Sequence, residues 1–120
     1  MAIKTGQEMV AEAKTRISEV TAKEVLTRLS KSEAIVLLDV REANEWNLGR
    51  LPNAIHIARG QLETNVEARI PRDATVVIYC ATGNRSVFAA DTMQQMGYEN
   101  VASMSGGFRD WVGLGGDVAD

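Results

Sequence analysis

The chain of 120 residues holds a single cysteine, Cys80, in the stretch VVIYCATGNRS (76–86). An apolar run ends at the cysteine, a glycine follows at 83, an arginine at 85 and a serine at 86. This order of residue types suits a nucleophilic thiol. A short loop that leads from a strand into a helix turns backbone N–H groups inward, and the positive end of the helix dipole adds to them. An anion at the centre is therefore stabilised. The first such anion is a thiolate, because helix N-termini and nearby cations favour the ionised form of cysteine. Gly83 permits the tight turn, Ala81 to Asn84 curl over the sulfur, and Ser86 opens the following helix. A lone cysteine at a strand end is commonly a small packing hydrophobe. Strand, cysteine, glycine-containing loop, arginine and helix start occurring together point to chemistry instead.

Other site chemistries fit poorly. There is no second cysteine and no histidine pair, so neither an internal disulfide nor a metal site is expected. The one histidine, His56, lies inside the strand-like AIHIA and reads as a packing or surface residue, which leaves a cysteine protease without its partner. No cofactor is implied. The net charge of −3 and pI near 5.2 argue against a general nucleic-acid binder, although the substrate can still be an anion. The longest apolar segments, AIVLL and TVVIYC, have strand length, far short of a membrane span. The N-terminus MAIKTGQEMVAEAK lacks the apolar stretch of a signal peptide, and a cytoplasmic location is expected.

The elements that must position the cysteine follow from periodicity. With 45% apolar residues the chain has the size and composition of one domain. Met9, Val10, Ala13 and Ile17 recur at helical spacing over residues 5–17, predicting a short amphipathic helix. Thr21 and Glu24 have capping-box spacing with Val20 and Val25 as a staple, so a helix should run from Ala22 through Leu29. AIVLLDV (34–40) and ATVVIYC (74–80) are apolar without alternation, the pattern of strands covered on both faces. Between them come a helix-like stretch from Glu42 to Leu48, a turn at LGRLPN, the short strand AIHIA, and a helix from Leu62 to Ile70 stopped by Pro71. After the cysteine loop, Val87, Phe88, Ala90, Met93 and Met96 predict a helix ended by Gly97. The strand NVASM and a helix around Phe108 to Trp111 close the chain. This alternation predicts an α/β domain with a mainly parallel sheet, in which Cys80 stands at a carboxyl strand end where ligands gather.

With these residues in place the chain resembles a single-domain member of the rhodanese, or thiosulfate sulfurtransferase, family. The resemblance runs from Ser18 to the C-terminus, with residues 1–17 as a helical extension outside it. It is carried by LLDVREANEW (37–46), GRLPNAIHIARGQLE (49–63), VVIYCATGNRS (76–86) and SMSGGFRDW (103–111). Two positions depart: Gly49-Arg50 stands where the family commonly has Gly-His, and Pro52-Asn53-Ala54 where it has Pro-Gly-Ala. The resemblance implies a three-layer fold with helices on both faces of the sheet. It also implies that Cys80 takes a sulfane sulfur from a donor such as thiosulfate and passes it, through a persulfide, to a thiophilic acceptor such as cyanide or a thiol. The loop Ala81, Thr82, Gly83, Asn84 would cradle the sulfur together with Ser86, and Arg85 would draw in the sulfonate of the donor. Asp39 and Arg41 resemble the family's supporting ion pair, against the alternative of a surface pair worth little. Arg59 would supply a second cation at the pocket mouth or else be solvent-exposed. Ser105, Gly106 and Gly107 would form the neighbouring loop wall, and Trp46 and Trp111 would anchor the core.

Two other functions remain open on the sequence. A persulfide carrier or docking module feeding a protein acceptor would carry the same residues. A cysteine phosphatase or arsenate reductase also uses a cysteine-to-arginine loop, but one residue longer than the four between Cys80 and Arg85, so the ring here suits one sulfur better than a tetrahedral oxyanion. No nucleic-acid or membrane partner is expected.

Overall fold

The computed structural model describes residues 3–120. In chain order it contains α1 (Gly6–Lys14), β1 (Ser18–Thr21), α2 (Ala22–Ser30), β2 (Val36–Asp39), α3 (Ala43–Asn47), β3 (Ile55–His56), a 3-10 turn (Arg59–Gln61), α4 (Leu62–Arg69), β4 (Val76–Tyr79), α5 (Asn84–Gln95), β5 (Val101–Ser105) and α6 (Gly107–Gly113). The strands form one sheet in the order β1-β5-β4-β2-β3, with every pairing parallel.

The register explains the unbroken apolar runs. On central β4, Val76 and Ile78, followed by Cys80, pack into one core with Leu62, Val66, Ala89, Ala90 and Met93 from α4 and α5. Val77 and Tyr79 face the other way, into a core with Ala22, Val25, Met104 and Trp111 beneath α2 and α6. Each strand residue thus has a dry partner layer, and full burial of each large aliphatic side chain contributes about 1.5–3 kcal/mol. The same alternation aims Cys80 at the α5 side.

Local signals set the element ends. Thr21 Oγ1 accepts the Glu24 N–H at 3.1 Å while the Glu24 carboxylate accepts the Thr21 N–H, which starts α2 at Ala22 as the spacing predicts. Ile70 is already extended ahead of Pro71, so α4 ends at Arg69. Asn53 holds a left-handed φ of 65°, a conformation asparagine tolerates, which accounts for its standing where glycine is usual. Arg50, in place of the usual histidine, lies 4.4 Å over the Trp46 ring and donates to the Trp46 carbonyl.

Two expectations need correction, and one strand carries no signal in the sequence. β1 has no counterpart in the apolar pattern, because it is a four-residue edge strand with only Val20 half-buried. α5 begins at Asn84, two residues before Ser86, which brings the helix N-terminus closer to the cysteine. Trp46 is only half-buried, stacked on His56 at 4.9 Å, and is no core anchor; Trp111 is buried. Met1 and Ala2 of the expected N-terminal extension lie outside the described residues. Its helix packs on α5, with Ala13 fully buried and Arg16 bonded through Nε and Nη2, each at 3.0 Å, to the Asp91 carboxylate.

Candidate active site

Cys80 follows β4 directly, and three residues later the chain enters α5 through Gly83, whose φ of 113° is open to glycine but strained for other residues. The turn carries the Gly83 N–H to 3.1 Å from Cys80 Sγ, where it donates to the sulfur. Ser86 Oγ, in the first turn of α5, lies 3.5 Å from Sγ and 2.8 Å from Ser103 Oγ on β5. Both serines are fully buried, so a short hydroxyl chain ends at the thiol. Ser103 was not singled out from the sequence; the only signal for it is a polar residue inside the otherwise apolar strand.

The loop is held from outside by α6. The Phe108 N–H donates to the Cys80 carbonyl at 2.8 Å and the Arg109 N–H to the Ala81 carbonyl at 3.1 Å. These bonds satisfy donors that the start of α6 would otherwise leave unpaired and turn the loop carbonyls away from the sulfur. The close approach depends on Gly107, since a Cβ there would lie 2.7 Å from the Ala81 carbonyl oxygen. The stretch from Ser105 to Gly107 is thus the loop wall that the sequence suggests. Ala81 is half-buried, while Thr82 and Asn84 face solvent. Asn84 also borders a groove of about 830 Å³ shared with Met9 and Val10 of α1 and Phe88 of α5.

Arg85 stands at the rim with its side chain 35% exposed, and it is not alone. Its Nη1 and Nη2 donate to the two carboxylate oxygens of Glu45 at 2.7 and 3.1 Å. Glu45 Oε1 also accepts the Glu42 N–H at 3.0 Å. The hydrogen bonds from Arg85, with lesser help from that N–H and against the cost of burial, hold the Glu45 carboxyl down to about 2. Glu45 is 40 residues from its partner, and the sequence offers no cue for the pair beyond a glutamate in the α3 segment.

Asp39 and Arg41 form a buried pair rather than a surface one. Arg41 Nη2 donates to Asp39 Oδ2 at 2.8 Å, Nε donates at 3.0 and 3.1 Å, and the Arg41 backbone N–H adds a bond at 2.9 Å. Arg41 Nη2 also reaches the Gly49 carbonyl at 2.6 Å, and the guanidinium lies 4.3 Å over Phe108, the residue whose N–H holds the Cys80 carbonyl. Burial, with Asp39 nearby, pushes the Tyr79 phenol well above its ordinary range, so its oxygen stays neutral and accepts the Leu51 N–H.

Arg59 is engaged elsewhere: Nη1 pairs with Glu63 and Nη2 donates to Thr92 Oγ1 at 3.1 Å, with no bond to the cysteine loop. His56 packs on Trp46, with Nε2 2.8 Å from the Arg41 carbonyl. Among the described residues no group of three His, Cys, Asp or Glu is placed to hold a metal ion, and no helix is long and apolar enough to cross a membrane.

The chain is similar to several known proteins. The chain is 31% identical over 111 residues to the putative sulfur carrier protein YrkF of Bacillus subtilis, covering 92% of this chain and 60% of that protein. It thus spans under two thirds of that relative. A sulfurtransferase of Allochromatium vinosum is 31% identical over 96 residues, covering 80% of this chain and 89% of its own length. Among solved structures, a Rhodopseudomonas palustris protein of unknown function described as a possible tyrosine phosphatase superposes with a TM-score of 0.88. It is 30% identical and covers 99% of this chain and 97% of its own. The family described as the rhodanese-like domain matches residues 21–114, a span that holds both core layers, the cysteine loop and its α6 support. The chain therefore belongs to the rhodanese-like domain family, whose relatives here include proteins named as sulfurtransferases.

Proposed function

We propose that this chain transfers sulfane sulfur from thiosulfate or a related anionic donor to a thiol or other thiophilic acceptor through a persulfide on Cys80. The observation that carries the reading is the position of Cys80 Sγ, which accepts the Gly83 N–H at the entry to α5, the helix that carries Arg85 in its first turn. The Cys80 thiolate attacks the outer sulfur of thiosulfate. A bond forms between Sγ and that sulfur, the bond to the sulfonate breaks, and its electron pair leaves with sulfite. The terminal persulfide sulfur then occupies the cradle of Ala81, Thr82, Gly83 and Asn84, stabilised by the amide and the helix dipole. An acceptor thiolate or cyanide attacks the outer sulfur, and the Cys80 thiolate returns. No proton transfer is required in either step, which suits a site with no histidine beside the thiol. Asp39 and Arg41 support the loop from beneath through Phe108.

The name of the YrkF relative favours a second reading, in which the persulfide is handed to a protein acceptor and the chain works as a carrier. Both readings require a loaded Cys80. Mass spectrometry after incubation with thiosulfate should find one added sulfur on the Cys80 peptide and none in Cys80→Ser. Absence of that sulfur, or its presence elsewhere, overturns the proposal. Discharge by cyanide or small thiols at steady turnover separates the enzyme from the carrier.

A further inference from the structure

Arg85, the cation nearest the thiol in sequence, has both terminal nitrogens spent on Glu45. We infer that Glu45 sets the charge selectivity of the donor site: by neutralising Arg85 it weakens binding of doubly charged donors relative to singly charged ones. This inference rests on the sulfur-transfer reading for its kinetic consequence, though the ion pair is independent of it.

An unpaired guanidinium at the rim would present one full positive charge to an entering anion. The pair presents none in sum, and its carboxylate oxygens stand 2.7 and 3.1 Å from the same nitrogens a sulfonate would use. A guanidinium offers five N–H donors, and a bidentate carboxylate occupies two, so a donor anion can still approach the remaining edge of Arg85. It does so against the field of Glu45. Neither side chain is deeply buried, with exposures of 35% and 28%, so the pair is accessible to an entering anion. The carboxylate is firmly seated because Oε1 also takes the Glu42 N–H at the start of α3. Glu45 remains ionised throughout the neutral range, its carboxyl titrating at about 2, so the selectivity does not vary with pH there. Coulomb repulsion scales with the product of charges, so a dianion feels the carboxylate twice as strongly as a monoanion at the same place.

Glu45→Gln removes the charge and keeps an oxygen for the Glu42 N–H. The probes are thiosulfate, a dianion, and methanethiosulfonate, a monoanion that loads the same persulfide and releases methanesulfinate. Glu45→Gln should lower KM for thiosulfate about tenfold and for methanethiosulfonate about threefold, half the change on a logarithmic scale, with kcat little altered. Glu45→Asp, which keeps the charge, should retain the wild-type ratio of the two KM values. In parallel, calorimetric titration of thiosulfate into Cys80→Ser and into Cys80→Ser with Glu45→Gln reads binding without turnover and should show the tighter binding in the double variant. Thiosulfate affinity that is unchanged or weaker on removing the charge overturns the inference, as does an equal KM change for both donors. Failure to load any sulfur while the binding difference persists refutes the sulfur-transfer reading and leaves the role of Glu45 in anion selection standing.

Discussion

Asp39→Asn tests how the floor of the site is held. Asp39 is fully buried and Arg41 is 4% exposed, and the pair shares three side-chain contacts of 2.8–3.1 Å plus a backbone bond. The amide is isosteric but uncharged and keeps one acceptor oxygen, so the guanidinium stays buried without a counter-charge. Removing one partner of a buried pair costs about 3–5 kcal/mol, and the retained oxygen places this case near 3 kcal/mol. Against a total of about 5–15 kcal/mol for a domain, that is a large fraction. With an unfolding entropy of about 2.1 cal/mol/K per residue, the same loss lowers Tm by roughly 10–15 °C. Urea unfolding followed by circular dichroism should show a lower midpoint with an unchanged slope. Adding Arg41→Met should recover at least about 1 kcal/mol relative to Asp39→Asn alone, because no uncompensated charge then remains. Sulfur loading should slow in Asp39→Asn even well below its Tm, since the Arg41 guanidinium lies over Phe108, whose N–H holds the Cys80 carbonyl. A loss under about 1 kcal/mol would refute the reasoning, for that is what a solvent-screened surface pair is worth.

Arg85→Ala should reduce kcat/KM for thiosulfate by about 2–4 kcal/mol of transition-state stabilisation, expressed mainly in KM; steady-state kinetics showing no change would remove Arg85 from donor binding. Removing residues 1–16 should leave turnover nearly intact but lower Tm, because Ala13 and the bond from Arg16 to Asp91 bind this segment to α5. Loss of activity in a truncated chain that remains folded by circular dichroism would make α1 part of the site. With four residues between Cys80 and Arg85, hydrolysis of aryl phosphates and competitive inhibition by vanadate should both be negligible. Cys80-dependent phosphatase turnover above the rate of sulfur transfer would reverse the functional reading.

The features legible in the sequence are those whose physical cause is local. The capping box of Thr21 and Glu24 starts α2 because both partners lie within one turn, and Pro71 ends α4 through its neighbour's backbone. The unbroken apolar runs of β2 and β4 announce a sheet covered on both faces, and the spacing from Cys80 to Ser86 places a thiol, a turn and a helix start within one short segment. β1 was not legible, since an edge strand exposed along most of its length carries no apolar pattern and exists through pairing with β5, more than eighty residues away. The charge state of the rim was not legible either. Arg85 reads as a free cation until strand order brings α3 beside α5 and Glu45 takes both its terminal nitrogens. Arg59, similar in type, is drawn instead to Glu63 and Thr92. Ser103 and the N–H groups of α6 reach the cysteine loop because β5 lies next to β4 and leads into α6. Sequence by itself determined where the cysteine stands and the turn that surrounds it, because a strand, a glycine and a helix start are local conformational choices. Tertiary structure alone decided which groups balance the charge and pin the carbonyls around that cysteine, because those partners meet only through the order of strands in the sheet.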